Sequence, residues 1–258
     1  MPGYADRMPD LSRDPRLILA SASPARTKLL TDAGIAHRIR VSDVDEDAVV
    51  ARHGVTDPAE TALLLARAKA EAVAASLADD AGAPDGGDAA ADGGALVLGC
   101  DSVFAFDGVA YGKPHTPERA TERITAMSGR SGVLYTGHWL IDTRPGRIAG
   151  PGTSAGTGTS DADGATDGHE GAAVGGVSAT GAIAGAEVHF AAMTDAEIAA
   201  YVATGEPLAV AGSFTIDSRG SAFIRRVDGD PHAVIGLSVT TLRTLLHRLG
   251  EDITTLWV

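Results

Sequence analysis

Asp101 interrupts an apolar run, Leu98-Gly99-Cys100-Asp101-Ser102-Val103-Phe104. A carboxylate in such a setting needs a partner, a metal or a proton. Burial would raise its pKa and a nearby cation would lower it, so the group could be tuned as a general base. The plainer reading is a strand aspartate bonded to backbone amides. A turn at Asp107-Gly108 is then expected to bring Lys113, in Gly112-Lys113-Pro114, back toward Asp101 from a partner strand. Otherwise Gly-Lys-Pro is an ordinary turn.

Three other segments could act with this one. In Ser21-Ala22-Ser23-Pro24-Ala25-Arg26, two hydroxyls and an arginine flank a helix start, where unpaired N–H groups and the helix dipole favour an anion such as phosphate. The same residues also make a plain Ser-Pro cap with a surface arginine. Asp43-Val44-Asp45-Glu46-Asp47 clusters carboxylates that could hold Mg²⁺ or Mn²⁺ through oxygen, or could be a solvated loop or helix start. Lys69 lies on the apolar stripe of Ala62, Leu65, Ala66 and Val73, with Arg67 and Glu71 paired on another face. It either snorkels at the edge or reaches into a cleft. The chain has only three lysines, Lys28, Lys69 and Lys113, among 21 basic residues, and a compact ammonium suits phosphate oxygens differently from arginine. Lys28 lies one turn beyond Arg26 and is expected to face solvent.

The elements that must position these groups alternate. Residues 17–20 read as a short strand, followed by a helix opening at Ser23-Pro24 and stopped near Gly34. Asp57-Pro58-Ala59-Glu60 opens a helix expected to run to about Ser76. Residues 96–106 and 109–111 read as a hairpin, Thr116-Pro117 opens a helix to about Met127, and 134–141 and 188–192 read as strands. A capping box at Thr194-Asp195-Ala196-Glu197 opens a helix to Thr204. One or two strands are expected in 214–227, and a terminal helix in 237–249. The interleaving predicts a mixed α/β fold.

The net charge is −13 over 258 residues. The glycine-rich, low-complexity segments 77–95 and 144–186 hold nine of the 34 acidic residues and two of the 21 basic ones, so the remaining surface is ordinary. The acidity argues against a general nucleic-acid binder. The first of these segments reads as a short flexible loop, and 148–182 as a long insertion that cannot offset its ordering entropy by burial. A single cysteine, Cys100, suits a reducing cytoplasm. No apolar run predicts a signal peptide or a membrane span.

Taken in order, these segments resemble the Maf family of nucleotide pyrophosphatases, also called septum-formation inhibitors. The resemblance rests on Ser21, Ser23, Pro24 and Arg26, and on Glu46 after the next strand. It continues through Lys69 in Leu65-Ala66-Arg67-Ala68-Lys69-Ala70, Gly99 to Val103 and Gly112 to Pro114. Later matches are Ser128-Gly129-Arg130, Tyr135-Thr136-Gly137, 201–207, Ala211-Gly212-Ser213-Phe214 and Val234-Ile235-Gly236-Leu237. It implies a mixed sheet in two lobes with a central cleft, similar to inosine triphosphatases. Residues 17–249 would form the catalytic domain, with insertions at 77–95 and 144–186. Residues 1–16 would be an N-terminal extension and 250–258 a C-terminal tail.

The resemblance implies hydrolysis of nucleoside triphosphates to monophosphate and diphosphate with a divalent cation, Mg²⁺ or Mn²⁺, as a step that removes non-standard nucleotides, with a link to cell-division arrest. Asp101 would be the proton acceptor. Glu46 and Asp101 would hold the metal, and Ser21, Ser23, Arg26, Lys69 and Lys113 the triphosphate. A homodimer is a candidate assembly. Ala25 stands where many members carry a second arginine. Asp217 stands where pyrimidine-selective members carry glutamine, and Ser102 where methylguanosine-type members carry one. These three positions match neither subgroup, which leaves the preferred base open. Ala233 replaces a frequent asparagine, and Ser238 a common proline. The competing reading is a nucleotide-binding regulator of septum formation with little or no catalysis. An orthophosphate-releasing NTPase is disfavoured, because no Gly-x-x-x-x-Gly-Lys-[Ser/Thr] loop is present.

Overall fold

A computed structural model describes residues 16–81, 94–144, 170–174 and 177–258 of the protein. The N-terminal extension and most of the two low-complexity segments lie outside the described residues. Among the described residues eight strands form one mixed sheet: β1 (Leu17–Leu19), β2 (His37–Ile39), β3 (Leu96–Phe106), β4 (Val109–Tyr111), β5 (Ser131–Asp142), β6 (Glu170–Val174), β7 (Val177–Phe190) and β8 (Ile224–Gly229). Their order is β2-β1-β3-β5-β7-β6, with β4 paired to β3 and β8 to β7. The pairs β2/β1 and β1/β3 are parallel, and β3/β5/β7 is antiparallel. Among the described residues seven α-helices accompany it: α1 (Pro24–Asp32), α2 (Glu46–His53), α3 (Pro58–Ala81), α4 (Pro117–Met127), α5 (Asp195–Ala203), α6 (Pro231–Ile235) and α7 (Val239–Arg248).

The long strands β3 and β5 serve two cores on one face. At one end Leu98, Cys100 and Leu140 pack with Leu30 of α1 and Leu242, Leu245 and Leu246 of α7. At the other end Phe104, Phe106 and Leu134 pack with Ile124 and Met127 of α4 and Ile198 and Val202 of α5. Between these cores, on the same alternating positions, stand Ser102, Thr136 and His138. The expected division into two lobes follows this polar seam. The opposite face carries α3, whose Ala66, Ala70 and Val73 cover Val97, Trp139 and Ile141.

Several sequence expectations change. Helix α3 runs to Ala81, five residues past Ser76, into the segment read as a flexible loop. The strand expected to resume at Val188 begins at Val177, so the end of the presumed insertion is sheet, paired with β5 from Ser178 to His189. Its Ala/Gly composition reads as low complexity, yet at Gly181 the small residue is a packing requirement: a Cβ there would come within 2.3 Å of the Trp139 ring. In 214–227 only 224–227 are strand, belonging to β8, and the residues before it form a loop and a 3-10 turn, Arg219–Phe223. The C-terminal residues 250–258 are no loose tail. Ile253 and Leu256 are buried, Ile35 bridges Trp257, and the Val258 N–H donates to the Gly34 carbonyl at 2.9 Å. Ser238 caps α7 by accepting the Thr241 N–H at 3.0 Å, so the serine starts this helix without proline. Among the described residues no helix is long and apolar enough to cross a membrane.

Candidate active site

Alternation along β3 sends Asp101 to the α3 face and Ser102 to the opposite one. The α3 side depends on two glycines. A Cβ on Gly99 would lie 2.0 Å from the Ala66 carbonyl oxygen, and one on Gly137, the partner of Asp101 in the ladder, 2.3 Å from that of Ala62. Helix α3 therefore rests directly on the sheet backbone at this point. That seating delivers Lys69, the residue just before Ala70 of the Ala62–Ala66–Ala70 contact row, over the strand. Its Nζ donates to Asp101 Oδ1 at 2.5 Å and lies 2.7 Å from Glu46 Oε1. Lys69 thus reaches inward, and its side chain is only 11% exposed.

Glu46 arrives from the first turn of α2, which Asp45 caps by accepting the Ala48 N–H at 3.0 Å. The acidic run 43–47 is thus partly a helix cap and partly a contributor to the site. Asp101 is buried, and burial pushes its carboxyl above the ordinary value. Lys69 and Arg26 pull the other way, while Glu46 adds to the rise.

On the other side, α1 begins with Pro24 behind Ser23, whose hydroxyl makes no capping bond. Among the described residues the N–H groups of Ala25 and Arg26 have no protein acceptor, so the helix start retains the donors that bind an anion. Arg26 is buried and held in three directions: Nε donates to the Gly236 carbonyl at 2.7 Å, Nη1 to Ser21 Oγ at 3.0 Å and Nη2 to Ser102 Oγ at 3.2 Å. Ser102 Oγ is 2.8 Å from Thr136 Oγ1, which donates to the Ala233 carbonyl at 2.7 Å. Thr136 has one proton and gives it to that carbonyl, so Ser102 must donate to Thr136 and accept from Arg26. The relay fixes the guanidinium plane. Because Ala233 contributes only its carbonyl here, the relay does not depend on the asparagine frequent at that position in the family. Spacing assigns Thr136 and Gly236 no role, although both lie in segments that carry the resemblance; for Thr136 the structural cue is its place opposite Ser102 in the β3/β5 ladder.

His138 is fully buried beside this network. Its Nε2 accepts the Ser238 N–H at 2.8 Å, and burial with nearby Arg26 lowers its pKa to about 4, so the ring is neutral. Burial pushes the Cys100 thiol up to about 12, so it remains a protonated core side chain.

The remaining candidates are placed differently. Lys113 is exposed and makes no ion pair among the described residues. It does not reach Asp101, because β4 pairs with β3 only as far as Tyr111 opposite Phe104. Beyond that, the Gly112 carbonyl accepts from Arg123 at 2.6 Å and the His115 N–H donates to the Leu208 carbonyl at 3.1 Å. Ala25 is half-buried in the first turn of α1. Asp217 is exposed on the loop after Phe214, within electrostatic range of Lys28 on α1. Lys28 itself is exposed and pairs with Asp32, in line with its expected solvent position.

Glu46 and Asp101 suit a divalent cation by chemistry: both offer hard oxygen ligands and both already converge on one positive charge. Among the described residues the second oxygen of each accepts no hydrogen bond. A separate grouping, Glu187, His189 and Asp228 on β7 and β8, also has three potential metal-ligand atoms within 4.8 Å of one another. There, however, Asp228 is forked by Arg226 and bonded to His189 at 2.9 Å, and Glu187 accepts from Ser131 at 2.7 Å.

Residues 16–249 match the family described as Maf-like protein. The chain is 50% identical over 246 residues to a nucleoside triphosphate pyrophosphatase of Leifsonia xyli, covering 94% of this chain and 96% of that protein. It is 48% identical over 242 residues to one of Streptomyces coelicolor, covering 94% of each. It is 44% identical over 242 residues to one of Salinispora tropica, covering 94% of this chain and 87% of that protein.

Proposed function

The chain belongs to the Maf family, and on that premise we propose that the site around Asp101 hydrolyses nucleoside triphosphates to the monophosphate and diphosphate. The observation that carries this reading is the convergence of Lys69 on Asp101 and Glu46, close enough to Arg26 and the open start of α1 for Arg26 to act on Asp101. A pure binder needs the cations but has no use for a buried, basicity-enhanced carboxylate beside them.

Asp101 accepts a proton from water as its oxygen attacks the α-phosphorus. The bond from that phosphorus to the bridging oxygen breaks, and diphosphate leaves with the electron pair. Arg26, with Ser21, Ser23 and the first N–H groups of α1, holds phosphate oxygens, and Lys69 neutralises charge next to the base. The relay from Arg26 through Ser102 to Thr136 keeps the guanidinium in place as charge builds, which is preorganised electrostatic stabilisation. Lys113 joins the triphosphate from its exposed turn. Glu46 and Asp101 would hold a divalent cation, which would supply further neutralisation of phosphate charge.

The net charge of −13 favours a free nucleotide over nucleic acid as the partner, and the single buried cysteine fits the cytoplasm. Removal of non-standard nucleotides is the cellular role that suits such chemistry. A panel of ribo- and deoxyribonucleoside triphosphates, scored for diphosphate against orthophosphate with Mg²⁺, with Mn²⁺ and with chelator, tests the reading. Diphosphate release that chelator abolishes is expected. Tight binding of nucleotides without turnover across the whole panel would instead favour a non-catalytic regulator.

A further inference from the structure

Thr136 and His138 stand two residues apart on β5, so both point to the sheet face that carries α7. Each holds one end of the chain that leads from α6 into α7. Thr136 Oγ1 donates to the Ala233 carbonyl at 2.7 Å, and His138 Nε2 accepts the Ser238 N–H at 2.8 Å. Gly236 lies between these two anchored positions, and its carbonyl accepts from Arg26 Nε at 2.7 Å. The fit there is close. A Cβ on Gly236, whose φ is +121°, would lie 3.2 Å from Arg26 Nε and 3.4 Å from Ser102 Oγ. The guanidinium thus rests against the backbone that the two β5 side chains hold.

The Thr136 anchor belongs to the relay through Ser102, but the His138 anchor has no part in that relay. Ser238 is buried, and its N–H finds no other acceptor among the described residues. Without His138 a buried donor would be left unpaired, and the chain would have to move to satisfy it. Accepting at Nε2 places the proton of the neutral ring on Nδ1. Burial and the nearby Arg26 charge keep the ring neutral, so its Nε2 lone pair stays available to Ser238.

We infer that His138 is a positioning residue for Arg26: by holding Ser238 it fixes the Gly236 carbonyl, and through it the direction in which the guanidinium meets the triphosphate. This rests on the proposed triphosphate hydrolysis and deepens it. His138 is 0% exposed, so it touches neither phosphate nor the reacting water and acts through Ser238 and Gly236.

The test compares the wild type, His138→Leu, His138→Gln, Arg26→Ala and the His138→Leu/Arg26→Ala double variant. It measures kcat and KM for the best nucleoside triphosphate and, by calorimetry, Kd for inorganic triphosphate, with thermal melts as the folding control. Leucine removes the acceptor, whereas the glutamine Oε1 can take the place of Nε2 and accept the same N–H. Expected for His138→Leu is a loss of about tenfold in kcat/KM and in triphosphate affinity, as for one charged contact held off its best position. His138→Gln should stay within about threefold of the wild type. Adding His138→Leu to Arg26→Ala should cost less than about twofold more. His138→Asn, polar but too short to reach Ser238, serves if His138→Leu folds poorly. An equal loss with and without Arg26 overturns the inference, because a merely structural role would not depend on Arg26. Wild-type values in folded His138→Leu overturn it as well. A wild type that binds inorganic triphosphate but releases no diphosphate removes the hydrolytic reading alone, and the Kd series then decides the role of His138. One that does neither overturns both.

Discussion

Lys69 and Asp101, 32 residues apart, meet at 2.5 Å because two strand glycines let α3 lie on the sheet. The ammonium lowers the Asp101 pKa against the stronger effect of burial. Replacing Lys69 with methionine keeps the apolar stem and removes the charge. The Asp101 pKa then rises further, and the acid limb of the pH profile of kcat/KM moves to higher pH. A limb that stays put, or moves to lower pH, would separate Lys69 from the base.

Asp101→Asn should lower the turnover rate by roughly 10²–10⁴-fold without a matching loss of nucleotide affinity. Its effect on stability has a definite sign. The folded-state pKa lies above the unfolded value, so the folded protein retains the proton in the window between them, and stability falls as pH rises through that window. The asparagine variant lacks this fall. Its thermal midpoint, relative to the wild type, should therefore increase from the ordinary carboxylate range up to the raised pKa and level off above it. A gap that narrows with rising pH would mean that Lys69 and Arg26 outweigh burial.

Which of these features the sequence exposes depends on how local their cause is. Asp101 is visible because a charge breaks an apolar run, and Lys69 because it lies on a helix stripe. The Thr194 capping box forms as expected, since all its atoms lie within four residues. The reason for Gly99 and Gly137 is invisible until α3 is placed on the sheet. Strand β7 escapes detection because its alanines and glycines, among them Gly181 against the Trp139 ring, carry no alternation of polarity. The hub at Glu206, whose carboxylate accepts from Thr215, Ser218, Arg219 and Gly220, escapes because these loop partners lie nine to fourteen residues away with no periodicity, and because it diverts the N–H groups of Arg219 and Gly220 from any strand ladder.

Gly99→Ala tests the seating of α3. The added Cβ would meet backbone, the Ala66 carbonyl at 2.0 Å and the Ala70 nitrogen at 2.9 Å, so the helix must shift away from the sheet. Overpacking of this kind costs about 1–3 kcal/mol. The displacement also withdraws Lys69, so activity should fall together with thermal stability. Gly108→Ala, at an exposed turn where the added Cβ meets nothing within 4 Å, should cost stability through its positive φ while leaving turnover of the remaining folded protein unchanged. Full activity in a folded Gly99→Ala protein would show that the close approach is not what places Lys69.

Asp217→Gln tests whether this exposed residue takes part in the choice of nucleotide. A carboxylate only accepts hydrogen bonds, whereas a carboxamide both accepts and donates. Were Asp217 to face the base, the wild-type loop would suit an edge that offers N–H donors, such as the ring N–H and exocyclic amine of guanine. The glutamine variant would suit an edge that alternates donor and acceptor, such as that of uracil or thymine. The ratio of kcat/KM for UTP to that for GTP should rise on substitution, by about tenfold for one bond gained or lost, with kcat for the better substrate little changed. An unchanged ratio would place Asp217 outside the base contact and return the choice of nucleotide to Ser102 and Ala25.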